Sequence, residues 1–317
     1  MSKEHFIFTR QHLVSTFQNS NFVSRQNSFQ NLVRYLGGRF SITTPSAIPG
    51  PCVPLIRHTV REQIETIMEN TTEHKLAKPD KSLADYIYCF SALQNLSDIN
   101  QGVIIPNGRI DLAFFKTADN QFRISLIGLE TKPKLLPKQA ISKFFAVSFN
   151  PLAVEYILND SIAGILNNGR ILPDNFWGFS VGDLDDFDTF CKKVSQTIQS
   201  ILPNEIDDRK RRLFELIFAS NGQITVKELS EKVFWSSRQM NQYFNQQFGL
   251  SLKAYCNILR FQASLSQIKE GKLFPQLNFY DQSHFIKEIK KYSGASPKEL
   301  YKNKNSRFLQ FSVINTK

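Results

Sequence analysis

The chain has 317 residues, 41% hydrophobic and 21% charged, which is ordinary globular usage and excludes a wholly disordered chain, a collagen-like repeat and a disulfide scaffold. At about 150 residues per domain, two or three domains are expected. Lys and Arg number 39 against 28 Asp and Glu, a net of +11 that points to a polyanionic partner only if the positive charge is gathered in one place.

It is gathered. Residues 209–317 hold 19 basic and 7 acidic residues, net +12; residues 68–208 hold 13 and 18, net −5; residues 1–67 hold 7 and 3, net +4. The last third is a basic module joined to a mildly acidic region. No apolar run approaches the roughly 18 residues of a membrane helix, and the N-terminus lacks the apolar core of a secretory signal, so a cytoplasmic protein with no membrane partner is expected. Cys52, Cys89, Cys191 and Cys256 are scattered with no CxxC pair, and His5, His12, His58, His74 and His284 form no HExxH. Neither a metal site nor a cofactor is expected. Phosphate-loop, dinucleotide and nucleophile-elbow glycine motifs are missing too, so no catalytic residue is nominated and the chain is not expected to be an enzyme.

In chain order, residues 1–74 read as an N-terminal extension rich in Ser, Asn, Gln, Arg and Phe, with Glu4 its only acidic residue before Glu62. It is a helical appendage, a flexible arm or a product of start-site choice, since Met68 immediately precedes the first regular patterning; it lacks the amphipathic Arg-rich helix of an organelle transit peptide. Residues 75–180 read as a β-rich regulatory domain. Its strands are expected at 85–90, 109–115, 121–129 and 143–149, the second entered through the Pro106-Asn107-Gly108 turn and joined to the third by a hairpin at Asp119-Asn120. Such a compact antiparallel sheet or barrel holds a small ligand or serves as a scaffold. A short helix is expected from Asn150-Pro151 to Leu158, and a turn at Asn167-Asn168-Gly169.

Residues 181–208 form an amphipathic connecting helix and linker. Leu184, Phe187, Phe190, Cys191, Val194, Ile198 and Ile201 make one apolar stripe between Asp183 and the stop at Pro203, and Asp183, Asp185, Asp186 and Asp188 fill the first turns. The stripe serves either packing within the chain or a dimer seam. Beyond it, residues 209–220 read as a helix ended by Asn221-Gly222, and two capping boxes follow: Thr225 to Glu228, opening a helix through Val233, and Ser236 to Gln239, opening one through Phe248 before Gly249. Helix, two-to-three-residue turn, helix is a helix-turn-helix pattern. Its second helix sets Arg238, Asn241, Gln242 and Asn245 against an apolar face of Met240, Phe244 and Phe248. Arg pairs with guanine O6/N7, and Asn and Gln with adenine N6/N7, so the polar face suits the major groove.

The run Leu229, Ser236-x-Arg238-x-Met240-x-x-x-Phe244, Gly249-Leu250-Ser251, Tyr255 and Leu259-Arg260-Phe261 resembles the first helix-turn-helix and connecting helix of the AraC/XylS family of bacterial transcription regulators. Phe279-Tyr280-Asp281-Gln282-Ser283-His284-Phe285, Lys290-Lys291 and Gly294-Ala295-Ser296-Pro297 resemble its second unit, so the likeness covers about 209–300. It implies an α+β chain: a β-rich N-terminal regulatory domain, then an all-α AraC-type reader at 209–305, then a tail at 306–317. It further implies base contacts from Ser237, Arg238, Asn241 and Gln242, with Gln282, Ser283, His284 and Lys287 as their counterparts in the second unit, and phosphate contacts from Lys253, Lys290 and Lys291. His284 has a local alternative, capping or packing. Double-stranded DNA is the implied partner, with a homodimer, a small-molecule effector and RNA polymerase as further partners the family allows.

One departure stands out. Ten residues separate Ile268 from Phe279 and include Gly271 and Pro275, where the family fits a helix, and Asn278 replaces a Gly, so the second helix-turn-helix is expected to be abbreviated. Its closing helix, from Ser296-Pro297, is expected intact. The alternative function is a small-ligand-binding or protein-interaction module with a degenerate DNA-binding domain; a repair-type enzyme would need a reactive cysteine centre that the scattered thiols do not form.

Overall fold

The computed structural model describes residues 74–94, 103–135 and 141–302. The expectations for the N-terminal extension and for the C-terminal tail lie outside them.

The fold is α+β, an antiparallel sheet followed by a helical region. Strands β1 (His74–Ala77), β2 (Ile87–Gln94), β4 (Ile110–Thr117), β5 (Phe122–Ile127), β7 (Ile141–Phe149) and β8 (Gly169–Leu172) form one sheet in the order β1-β2-β7-β4-β5-β8, with every neighbouring pair antiparallel. Strands β3 (Val103–Ile104) and β6 (Lys134–Leu135) pair separately. The expected β4–β5 hairpin is present, with Asn120 in the left-handed region at φ 65°. β1, β3, β6 and β8 were not expected; each has four residues or fewer, too few to display a period-2 pattern.

Alternation along β4 sets the core. Leu112 and Phe114 lie opposite Val147 and Phe145 of β7 and opposite Leu126 and Ile124 of β5, and all six are buried. Over this face lies helix α2 (Phe187–Ile201). Its Phe190 ring sits 5.2 Å from Phe114, 5.2 Å from Phe145 and 5.7 Å from Phe179, mostly edge-on, the arrangement that aromatic quadrupoles favour. Phe187, Val194 and Ile198 continue the buried row, so the stripe packs within the chain. The helix begins later than its acidic residues suggested. Asp183 closes a capping box on a 3-10 turn at Val181–Leu184, and Asp186 caps α2 through the Thr189 amide. Asp side chains compete for backbone donors, so a run of them divides the segment into two short starts.

A short helix, α1 (Leu152–Tyr156), leads out of β7. Among the described residues six more follow: α3 (Asp208–Ala219), α4 (Val226–Val233), α5 (Ser237–Phe248), α6 (Leu252–Lys269), α7 (Gln282–Ser293) and α8 (Pro297–Tyr301). Both predicted capping boxes form, at Thr225/Glu228 and Ser236/Gln239, and the closing helix opens on a third at Ser296/Glu299. Between α6 and α7, residues 270–281 contain no helix, the abbreviation anticipated from Gly271 and Pro275.

The sheet region reaches the helices through the 106–108 turn. The wholly buried Tyr255 of α6 donates its hydroxyl to the Gly108 carbonyl at 3.0 Å, and Gln262 donates its amide to the Pro106 carbonyl. Gly108 holds φ +71°, and a Cβ there would lie 2.8 Å from Leu259 Cδ2. Tyr255→Phe leaves that buried carbonyl without its donor and is expected to cost about 1 to 3 kcal/mol. Gly108→Ala combines left-handed strain with displacement of Leu259 and should cost about 1 to 2 kcal/mol. Urea unfolding of both variants checks this, the midpoint falling while the slope stays constant.

Candidate nucleic-acid interface

Helix α6 is the spine of the helical region. Leu252, Tyr255, Ile258, Leu259, Phe261, Leu265 and Ile268 are buried along it. On one side Phe214 of α3 centres an aromatic cluster with Tyr243, Phe244 and Phe248 of α5 and Tyr255 of α6, at ring separations of 5.7–6.5 Å. On the other, Phe261 meets Tyr292 of α7 at 5.2 Å. The turn between α3 and α4 presses on the spine: a Cβ on Gly222, at φ +70°, would stand 2.2 Å from the Cys256 carbonyl oxygen, so only glycine fits.

α4, the turn at 234–236 and α5 make the first helix-turn-helix. Met240, Tyr243, Phe244 and Phe248 pin α5 inward. Ser237, Arg238 and Gln242 are exposed on its outer face, and the side chains of Arg238 and Gln242 make no hydrogen bond or ion pair among the described residues. Asn241 sits differently. Its Nδ2 donates to the Ser237 carbonyl at 3.0 Å and its Oδ1 accepts from the Leu252 amide at 3.3 Å, so it ties α5 to the start of α6 and keeps one amide hydrogen for any other partner.

In the second unit, four residues nominated together are placed apart. Ser283 and Lys287 are exposed on α7. Gln282 turns back, its Nε2 donating to the Leu273 carbonyl at 3.0 Å and its Oε1 buried without a donor. His284 accepts the Tyr280 amide on Nδ1 at 3.2 Å and meets the Phe279 ring at 5.8 Å, the local role left open for it. With no helix in 270–281, these side chains take over the support of the loop. Lys253, Lys287 and Lys290 are exposed without ion pairs among the described residues, whereas Lys291 pairs with Glu288 at 3.4 Å and lies over Tyr292.

Sequence reasoning missed the residues that hold these parts together. Arg260 donates to the Gly222 carbonyl at 3.0 Å and to the Asn278 carbonyl at 3.2 Å, fastening the 278–281 approach of α7 to the α3–α4 turn. The last turn of α5 is held from the sheet region: Ser161 Oγ donates to the Gln246 carbonyl at 2.6 Å and the Ile162 amide to the Gln247 carbonyl at 2.9 Å. These are the carbonyls a helix leaves unpaired at its end. Glu155 adds an ion pair with Lys210 and accepts the Tyr243 hydroxyl at 3.3 Å. Only side chains brought close by the folded chain could reveal these links.

On the sheet face opposite the core, Cys89, Ser148 and Asp111 stand in one cross-strand row, and the Ser148 hydroxyl donates to Asp111 at 2.5 Å. Burial raises the carboxyls of Asp111 and Glu130 above the usual range, the second offset by Lys134 at 3.6 Å. Among the described residues no group of three His, Cys, Asp or Glu side chains is arranged to hold a metal, and no helix is long and apolar enough to cross a membrane. Burial pushes the Cys191 and Cys256 thiols up to about 12 and raises that of Cys89, so at neutral pH all three stay protonated and weakly nucleophilic.

A family model described as a domain of unknown function (DUF6597) matches residues 75–169, a segment within the sheet region. No curated protein matches. Among solved structures the chain is similar to ToxT from Vibrio cholerae O395, at 12% identity over 74% of this chain and 99% of that one, with a TM-score of 0.38. ToxT from the same strain bound to (E)-4-(8-methylnaphthalen-1-yl)but-3-enoic acid gives 14% identity, 73% and 98% coverage and a TM-score of 0.37.

Asn241→Ala removes two hydrogen bonds within the fold and is expected to lower stability by about 1 to 2 kcal/mol, while Gln242→Ala stays within about 0.5 kcal/mol of the parent. Thermal and urea unfolding of the two variants side by side makes the comparison.

Proposed function

We propose that the chain is a sequence-specific DNA-binding transcription regulator of the AraC/XylS type. A β-rich sensing domain at 75–180 and a connecting helix and linker at 181–208 would precede a reader at 209–305. The observation that carries this reading is the α4–turn–α5 unit on the segment of net +12: the inner face of α5 is pinned and its outer face is polar and exposed. Inserted in the major groove, α5 offers Arg238 to guanine, Gln242 to adenine, Ser237 to either, and the remaining amide hydrogen of Asn241. α7 contributes Ser283 and Lys287 more readily than Gln282 and His284, whose polar groups are engaged within the fold. Lys253, Lys290 and Lys291 neutralise phosphates, Lys291 after giving up Glu288. On this reading the protein acts by binding and not as an enzyme. Pairing of two copies, a small-molecule effector in the sensing domain and contact with RNA polymerase rest on the family resemblance.

A second reading, a ligand-binding or protein-interaction module with a degenerate DNA-binding domain, is favoured by the inward turn of Gln282 and His284 and by the missing helix at 270–281. Selection from a randomised duplex pool separates the two, because a degenerate reader enriches no sequence.

On the enriched duplex, Arg238→Ala is expected to cost about 1 to 3 kcal/mol and to relax discrimination at one base pair. Equal losses on enriched and scrambled duplexes would show that Arg238 reads no base. Lys290→Ala should weaken binding to both duplexes and reduce the slope of log affinity against log salt by about one ion, and an unchanged slope counts against a phosphate contact.

A further inference from the structure

Phe234 carries a side chain from which the fold gains nothing. It caps α4 in the left-handed conformation, φ 52° and ψ 41°, and its side chain is 90% exposed, with no ring or cation partner among the described residues. Left-handed backbone favours Gly or Asn. Elsewhere among the described residues positive φ falls on Gly or Asn, Trp177 excepted, and Trp177 is stacked on Phe176 at 4.9 Å. Phe234 alone combines the unfavourable backbone with a solvent-facing aromatic ring. Backbone strain that the fold does not use is characteristic of functional positions.

Its place in the chain indicates what covers it. Phe234 lies two residues before Ser236, the N-cap of α5, and next in line come the exposed Ser237 and Arg238. In a docked helix-turn-helix the first helix crosses the phosphate backbone and the second enters the groove by its N-terminal residues, which puts the intervening turn at the groove rim. In the chain, the exposed Lys232 on the last turn of α4 and Arg238 on the first turn of α5 stand on either side of Phe234 and carry positive charge, complementary to a polyanion. The second unit has a counterpart: Tyr280 is 92% exposed immediately before Asp281, the N-cap of α7.

We infer that Phe234 is a DNA-contact residue, its ring packing on deoxyribose and the thymine methyl edge at the rim of the groove read by α5. The inference rests on the proposed function. The contact is apolar and releases no counterions, so it adds affinity without adding to the salt dependence.

The test uses the full chain, a duplex enriched from a randomised pool by the wild-type protein, and a scrambled duplex. Phe234→Gly and Phe234→Asn relieve the backbone while removing the ring. Both are expected to keep or raise the thermal midpoint, to raise Kd on the enriched duplex about tenfold, the scale of one lost apolar contact, and to leave the salt slope unchanged. Phe234→Tyr should restore Kd to within about twofold. A Kd within about twofold of wild type in both the Gly and Asn variants overturns the inference. So does a fall in midpoint that parallels the loss of affinity, which would make Phe234 a structural residue, or a reduced salt slope. If the wild-type chain enriches no duplex, the proposed function itself fails and takes the inference with it; the other outcomes leave that function standing.

Discussion

The structure depends most on what Tyr255 does. Its ring closes the aromatic cluster around Phe214 and Phe244, while its hydroxyl satisfies the Gly108 carbonyl in a wholly buried place. One side chain therefore belongs to the helical core and to the turn that feeds β4. A buried carbonyl demands a donor, and the phenol supplies it only while α6 and the 106–108 turn keep their spacing. The grip of Arg260 on Gly222 and Asn278, and of Ser161 and Ile162 on the end of α5, follow the same rule: each fixes one element by satisfying another's unpaired carbonyls.

Much of the helical region was legible because its signals are local. Capping boxes at Thr225, Ser236 and Ser296 act within four residues, and the left-handed stops at Gly249 and Gly294 depend on one glycine each, so a short window of sequence contains the whole interaction. The central strands were legible through alternation. β1, β3, β6 and β8 were not, since two to four residues are too few to display alternation. The start of α2 was misplaced because four nearby Asp residues offered several caps, and only tertiary packing chose Asp186.

The candidate site was half legible. Residue type and helical phase identified the outer face of α5, with Arg238 and Gln242 exposed on it. Type and phase do not tell a side chain that projects from one that folds back: Asn241 folds back onto Ser237 and the start of α6, and Gln282 and His284 fold back onto the helix-free stretch before α7. Phe234 escaped notice for a related reason: sequence shows an aromatic beside Trp235, while its exposure and left-handed backbone belong to the fold.

The helix-free stretch before α7 has a consequence for how much sequence one chain could specify. On the proposed function, α5 carries most of the base-reading capacity of a chain, and a single helix in a groove inspects only a handful of base pairs. A genome presents roughly a million to a billion competing sites. So short a word recurs throughout such a text, and no refinement of the α5 contacts makes it unique. On that reading a second copy would supply the missing information, and the geometry of such pairs favours recognition elements repeated at about one helical turn, roughly 10 base pairs from centre to centre. A shortened second unit thus turns a question about one chain's fold into one about the symmetry and spacing of its target.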